Sequence, residues 1–245
     1  MRIASGNQLS PTQNLIGNGA QASARNAITD PYFASVVLLA GNENGAAGGT
    51  TFVDQSAAAR TLTTVGNAVW SSTAAPTGMT TSIAMDGNGD YLSALDSADW
   101  YFTGSVTLEF WLRYSAVGTS FFLVQRAGGT NWQWFHQTGV MYIQKDNGAA
   151  ALSASWSPSQ DVWYAIAVEW NGTNLSLYAD GTRIGQNTSS VFNVDIAAAL
   201  NIGNFSGAST LGVNGFVGPV RITNGVARMN GAASYTLPTL PLPNA

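Results

Sequence analysis

The chain is 245 residues long and 45% hydrophobic, so it holds enough apolar residues for one large core. It contains no cysteine, which excludes disulfides and thiolate metal sites. Lys and Arg together number 9, Asp and Glu number 13, and this balance argues against a nucleic-acid partner, because such binding requires clustered cations.

Residues 1–30 are rich in Asn, Gln, Ser, Ala and Gly and show no periodicity. Such a stretch cannot offset its own ordering entropy. We predict an extended N-terminal assembly arm that lies on its own domain or on a neighbouring subunit. Only 9% of the chain is charged, so little repulsion opposes packing into an assembly or a homo-oligomer.

No segment predicts membrane insertion or secretion. The most apolar run, VVLLA at 36–40, is far too short to cross a bilayer. The N-terminal MRIASGNQLS lacks the apolar core of a signal peptide.

Residues 31–228 are predicted to form the folded body. Apolar side chains occupy every second position of SVTLEFWLRY at 105–114, which indicates a strand with one buried face. Asn171-Gly172 separates the alternating segments 162–170 and 175–181, and Asn-Gly between strands is a strong hairpin signal. A second hairpin is predicted within 130–148, around a Thr-Gly turn.

These strands predict an all-β fold, a two-sheet antiparallel jelly-roll sandwich, because no window holds a convincing amphipathic helix. Residues 229–245 end in YTLPTLPLPNA. Their prolines forbid a central strand, so a Pro-rich C-terminal tail packed on the domain is predicted.

Six segments occur in an order that is more specific than any one of them. They are DPYFASVVLLAGNENG (30–45), MDGNGDYLSALDSADWYF (85–102), SVTLEFWLRY (105–114), WNGTNLSLYADGTRIG (170–185), LNIGNF (200–205) and GFVGPVRITNGVARMNGAASYTLPTLPLP (215–243). Together they resemble a laminin-G-like, concanavalin A-like jelly roll of the kind found in structural proteins of tailed bacteriophages. The resemblance leaves out the arm.

The resemblance implies two antiparallel sheets packed face to face, with the strand near 35–40 beside the one near 216–223. It also implies a non-enzymatic virion structural protein, most simply a capsid decoration or fibre-like surface subunit assembled in the host cytoplasm. Its partners would be the major capsid or tail protein and copies of itself. The alternative is a glycan-binding or host-receptor-binding module of a phage tail, with a cell-surface glycan as partner.

Glucanases of similar fold carry acidic residues at alternate positions of one strand, and glycoside hydrolysis requires two carboxyl groups. Glu109 and Glu169 are each the only acid on their predicted strand. No catalytic residue is therefore assigned, and the chain is predicted not to be an enzyme. Glu109 shares a strand face with Arg113, which predicts a cross-strand or same-strand ion pair on the open face.

Calcium is the metal that the resemblance suggests, and no other cofactor is predicted. Some relatives bind it near the loop matching FVDQSAAAR at 52–60, which makes Asp54 the candidate ligand. Gly218-Pro219 stand where those relatives commonly carry Asp-Glu, which weakens the assignment. The acidic DGNGD at 86–90 lacks the EF-hand spacing and indicates a turn.

Trp132, Trp134 and Phe135 are the candidate glycan-binding residues, because sugars stack their apolar faces on exposed aromatic rings. The competing interpretation places the alternating tryptophans in the core, where each ring buries a large apolar area. Full burial of both indoles would remove the support for stacking.

Overall fold

The computed structural model describes residues 29–146, 150–205 and 207–245, so all of the predicted arm except its last two residues lies outside the described residues. The described residues form short 3₁₀ turns at Phe33–Ser35 and Ala98–Trp100, and a series of β-strands. The strands are β1 Val36–Ala40, β2 Leu62–Val65, β3 Val69–Ser71, β4 Ser82–Asp86, β5 Tyr91–Ala94, β6 Val106–Tyr114, β7 Ser120–Ala127, β8 Thr130–Gln137, β9 Val140–Lys145, β10 Ala150–Ser155, β11 Trp163–Trp170, β12 Leu175–Ala179, β13 Thr182–Asn187, β14 Leu200–Ile202 and β15 Asn214–Asn224. None of the described residues forms a helix that could cross a membrane.

The strands pair into two antiparallel sheets, which confirms the predicted two-sheet jelly roll. The eight-stranded sheet has the order β13-β12-β11-β6-β15-β4-β3, with β1 also paired to β15. The seven-stranded sheet has the order β10-β9-β8-β7-β14-β5-β2. Leu39 of β1 lies opposite Arg221 of β15, so the predicted pairing of the segments near 35–40 and 216–223 is also confirmed.

Strand β6 illustrates why the sequence folds this way. Leu108, Phe110 and Leu112 are fully buried between the sheets, and the Phe110 ring centroid lies 5.4 Å from that of Phe122 in β7. Successive side chains of a strand point to opposite faces. Trp111 therefore lies on the outer face of the eight-stranded sheet.

Both predicted hairpins are present. Asn171-Gly172 connects β11 and β12, which pair in continuous register from Trp170 opposite Leu175. Thr138 and Gly139 connect β8 and β9 with φ angles of 50° and 75°. Positive φ at both central residues is the geometry of a type I′ turn, which matches the twist of the flanking strands.

The end of the chain lies against the outer face of the eight-stranded sheet. Leu242 is buried in a cluster that includes Trp111. The Asn42 side-chain amide donates to the Leu242 carbonyl at 3.0 Å, and the Leu242 N–H donates to Asn42 Oδ1 at 2.6 Å. The Asp30 N–H donates to the Ala245 carbonyl at 3.0 Å, so the start of the described chain and its C-terminus meet on this face.

Candidate functional site

A groove of about 410 Å³ lies on the outer face of the eight-stranded sheet. Its lining comes from β6, from the start of β11, from the loop at 76–78, from the tail at 237–240 and from Asp180 between β12 and β13. Aromatic and apolar side chains predominate in this lining. A concave site of this volume, apolar with a few polar groups, has the usual character of a small-ligand pocket.

Gly218 provides the space in which Trp163 enters the groove. Strand β6 separates β11 from β15, yet a β-carbon added to Gly218 of β15 would lie 3.5 Å from Cζ3 of Trp163. The indole therefore extends across the sheet. The same β-carbon would lie 3.0 Å from Cβ of Trp111 and 3.3 Å from Cγ of Pro76, so a larger residue would crowd these two neighbours, whereas its contact with Trp163 would be ordinary. The register of β15 shifts between Val217 and Val220, which places Gly218 in a bulge.

Asp180 supplies a carboxylate at the edge of the groove. Its Oδ1 accepts from the Ala165 N–H at 2.9 Å, and its own N–H donates to the Ala165 carbonyl at 2.7 Å. These two bonds fix the turn against β11. No described residue donates a hydrogen bond to Oδ2 of Asp180. This oxygen can accept a hydrogen bond from a ligand in the groove.

Tyr164 forms a fixed rim at the start of β11. Its hydroxyl accepts from the Ser159 N–H at 2.8 Å, and its ring packs edge-on against Trp156 with centroids 5.4 Å apart. A rigid aromatic rim, a flat indole and a free carboxylate oxygen suit a ligand that has an apolar face and a hydroxylated edge.

The structure corrects the positions from which glycan stacking was expected. Trp132 and Trp134 are both 0% exposed, because alternation along β8 points them into the core. Phe135 points the other way, but its ring is stacked between Phe121 and Tyr142, with centroids 5.0 and 4.9 Å apart. None of the three predicted residues presents a ring face to solvent. The groove is lined instead by Trp163, which is partly exposed, and by Trp111, which is buried in the cluster with Leu242.

Comparison with known families identifies the fold. A family model described as the concanavalin A-like lectin/glucanases superfamily matches residues 86–229, more than half of the chain. The chain belongs to this superfamily. No curated protein sequence matches it.

Several solved structures share the fold at low identity. The binding domain of Paraclostridial Mosquitocidal Protein 1 has a TM-score of 0.60 and 15% identity, over 78% of this chain and 49% of that one. The botulinum neurotoxin serotype D binding domain has a TM-score of 0.60 and 14% identity, over 82% and 51%. This chain thus spans about half the length of either domain. Domain 4 of AbnA, a GH43 extracellular arabinanase from Geobacillus stearothermophilus solved with arabinotriose, has a TM-score of 0.60 and 11% identity, over 78% and 93%.

Asp54, the calcium candidate suggested by the superfamily resemblance, does not fit a metal ligand. Its carboxylate is buried and accepts from the backbone N–H groups of Leu39, Ser56 and Arg60 at 2.9 to 3.0 Å, and from the Ser56 hydroxyl at 2.9 Å. The Arg60 guanidinium lies 3.8 Å away. Both oxygens are thus already used to hold the 54–60 turn. Among the described residues, no group of three or more His, Cys, Asp or Glu could hold a metal ion.

Glu109 lies on the outer face, as expected for a polar position, but it is buried and its predicted partner was wrong. Arg221 of β15 makes a bidentate pair with it, from Nε to Oε2 at 2.5 Å and from Nη2 to Oε1 at 2.8 Å. Arg113 instead contacts Asp161 at 2.8 Å. Glu109 thus forms an ion pair across neighbouring strands.

Asp30 completes this buried charge cluster. Its carboxylate accepts from Arg221 at 3.1 Å and from Arg228 at 2.7 Å. Burial alone would raise the pKa of Asp30, but hydrogen bonds from Arg228 and from the Tyr32 N–H, with the positive charges of both arginines, hold it below its usual value. Asp30 is ionised at neutral pH and fixes the start of the folded body.

Glu169 is fully buried on the same outer face as Glu109, on the neighbouring strand. It accepts from the N–H groups of Met229 and Gly231 at 2.5 and 2.7 Å. Burial raises the pKa of Glu169, against the opposing effect of these bonds. The fold thus brings two glutamates near each other, which strand-by-strand inspection did not predict, but both carboxylates already bind other parts of the chain.

The groove tryptophans were missed although the sequence carries a signal for them. Trp111 alternates with the core residues of β6, and Trp163 shares a face with Glu169 on β11. A large aromatic residue on the polar face of an alternating strand indicates an outward ring that something else must cover or bind. Asp180 carries no such signal, because Asp-Gly is an ordinary turn sequence.

Proposed function

We propose that the chain is a non-enzymatic glycan-binding module whose ligand lies in the groove beside Trp163. The proposal rests on two features of one groove: the Trp163 indole extends across the sheet, and Oδ2 of Asp180 has no hydrogen-bond donor among the described residues. A sugar ring presents an apolar C–H face and hydroxyl groups at its edge. The face suits the indole, and a hydroxyl suits the carboxylate oxygen.

The structural neighbours support a glycan as the ligand class. Two of them are binding domains, one of a mosquitocidal protein and one of a botulinum neurotoxin, and the third is an arabinanase domain solved with arabinotriose. At their identities of 11 to 15% they indicate the fold rather than a shared site. The ligand assignment therefore depends on the groove itself.

We propose no enzymatic role, because the two buried glutamates on this face are already bound to other parts of the chain. Glu109 is paired with Arg221, and Glu169 accepts two backbone N–H groups. Glycoside hydrolysis needs one carboxyl group that donates a proton and a second that attacks or activates water at the same bond. Neither glutamate has a free oxygen that faces the groove.

A glycan array followed by calorimetric titration of the best ligand tests the binding proposal. We expect Trp163→Ala to weaken binding by at least about tenfold, because it removes the stacking surface. Tyr101→Ala is the matched control, since Tyr101 is an exposed aromatic outside the groove and its loss should leave the affinity unchanged. Absence of any glycan binding by the wild type, or equal affinity of the Trp163 variant, would overturn the proposal.

We also propose that this module belongs to a tailed-phage virion, as a capsid decoration or fibre-like subunit that contacts the major capsid or tail protein and copies of itself. Residues 1–30 would be the assembly arm, 31–228 the jelly roll and 229–245 the packed tail. The sequence resemblance supports this role. Asp30, the last residue of the proposed arm, is bound to the jelly roll by Arg221 and Arg228.

Particle incorporation tests the virion proposal. Deleting residues 2–28 should leave the isolated body folded, because Asp30 and its partners remain, and should abolish incorporation into particles. Normal incorporation of the truncated chain would contradict the proposal. A glycan titration of the same truncated chain separates this role from the groove, which the deletion leaves intact.

A further inference from the structure

A second hollow, of about 260 Å³, lies on the outer face of the seven-stranded sheet, on the opposite side of the sandwich from the groove. It is lined by Arg126 and Gly128 at the end of β7, by Asn201 of β14 and by Phe205. Neither the proposed glycan groove nor the buried charge cluster uses any of these residues.

Asn201 is the first sign that this hollow takes a ligand. Asn201 is only 7% exposed and lies opposite Val124 of the neighbouring strand β7. Its Oδ1 is buried without a hydrogen-bond partner, and no described residue bonds to its side-chain nitrogen. Buried amides in folded proteins are nearly always hydrogen-bonded, so an unpaired one at the wall of a hollow indicates a missing partner.

Arg126 is the second, independent sign. Its guanidinium lies over the Phe205 ring, 5.2 Å from the ring centroid. Among the described arginines, four pair with a carboxylate and Arg183 donates to the Gly231 carbonyl. Arg126 has neither kind of partner among the described residues. It is exposed, held by an aromatic ring and free to bind an anion.

We propose that this hollow binds a carboxylate-bearing sugar. The planar guanidinium of Arg126 would bind the carboxylate through two parallel hydrogen bonds. The Asn201 amide offers both a donor and an acceptor, so its ligand needs a hydroxyl group beside the acid. A sugar acid has both groups on one ring, whereas a simple carboxylate lacks the hydroxyl and a neutral sugar lacks the anion.

The test is a titration of the full chain with glucuronate, galacturonate and N-acetylneuraminate, followed by NMR amide shifts and calorimetry. The corresponding methyl esters, in which the carboxylate is neutral, and galactose 6-phosphate are the comparison ligands. We expect at least one acid to shift the amides around Asn201 and to bind at least about tenfold more tightly than its ester. Added salt should weaken this binding.

Arg126→Gln should weaken binding of the acid by at least about tenfold without affecting folding, because Arg126 is exposed. Lys145→Gln is the matched control, since it removes a positive charge from β9, two strands away from β7 in the same sheet, and should leave the affinity unchanged. Trp163→Ala should also leave the affinity for the acid unchanged, so the proposal for this hollow and the proposal for the groove are tested independently. Binding by no acid, equal binding of acid and ester, tighter binding of the phosphate, or full affinity in the Arg126 variant would overturn the proposal.

Discussion

At the scale of single residues, a cluster of buried charges distinguishes the described part of the protein. Arg221 and Glu109 are both nearly inaccessible and pair through two hydrogen bonds, with Asp30 and Arg228 completing the cluster. Such a cluster costs desolvation energy when it forms, and it leaves an uncompensated charge when one member is removed. Its contribution therefore shows most clearly on mutation.

Arg221→Met should lower the free energy of unfolding by about 3–5 kcal/mol, because it leaves the buried Glu109 without its bidentate partner and Asp30 with Arg228 alone. Arg113→Met is the matched control. Arg113 pairs with Asp161, whose side chain is 66% exposed, and its loss should cost only about 0.2–1 kcal/mol. Urea denaturation measures both. Similar losses in the two variants would contradict the structural role of the buried cluster.

The lowered pKa of Asp30 predicts a pH dependence of stability. The folded state favours the ionised form, so the stabilisation is fully present above the usual value of 3.8 and is lost as pH falls through the lowered pKa. The free energy of unfolding should therefore fall less steeply with acid in Asp30→Asn than in the wild type. Glu169, with its raised pKa, contributes in the opposite direction, but equally in both proteins.

Urea denaturation at a series of pH values between about 6 and about 2 measures this difference. An Asp30→Asn curve parallel to that of the wild type would show that Asp30 is not the group that titrates. Glu43→Gln serves as a second reference, because burial raises the pKa of Glu43 and gives its contribution the opposite sign.

At the scale of elements, the alternation of apolar and polar residues was enough to predict the strands. It did not predict which segments pack on their outer faces. The buried positions of β6 and the two hairpins follow from period-two patterns and turn residues, and all are present. The outward Trp111 of β6 is covered by Leu242, which lies in the C-terminal tail, far from β6 in the sequence. A local pattern contains no information on such a distant contact.

The tail contributes to stability through this contact. Leu242→Ala should lower the free energy of unfolding by about 2–5 kcal/mol, because it leaves a cavity beside Trp111 and Leu39. Leu237→Ala, at an exposed position of the same tail, should cost less than about 1 kcal/mol. Thermal or urea unfolding distinguishes them. Equal, small effects would show that the tail does not pack on the sheet in solution.

The candidate site could be predicted only in part. The sequence indicated that aromatic rings would be the binding groups, but it pointed to β8, where Trp132 and Trp134 face the core. The side to which a strand's aromatic residues point depends on register with the second sheet. The groove also requires Gly218, two strands away from Trp163, and this neighbourhood becomes apparent only in the folded sheet.

At the scale of the whole molecule, the sandwich has two outer faces with different chemistry. The eight-stranded sheet carries the groove, the tail and the start of the folded body, while the seven-stranded sheet carries the hollow with Arg126. Superfamily membership fixes the sandwich but leaves the function of each face open, since one fold hosts many functions. We propose one ligand site on each face.

A crystal structure of the chain bound to the best glycan from the array would test the glycan proposal most stringently. We predict that a sugar ring lies on the Trp163 indole with a hydroxyl group within hydrogen-bond distance of Asp180 Oδ2. A glycan bound elsewhere, with the groove empty, would contradict the claim.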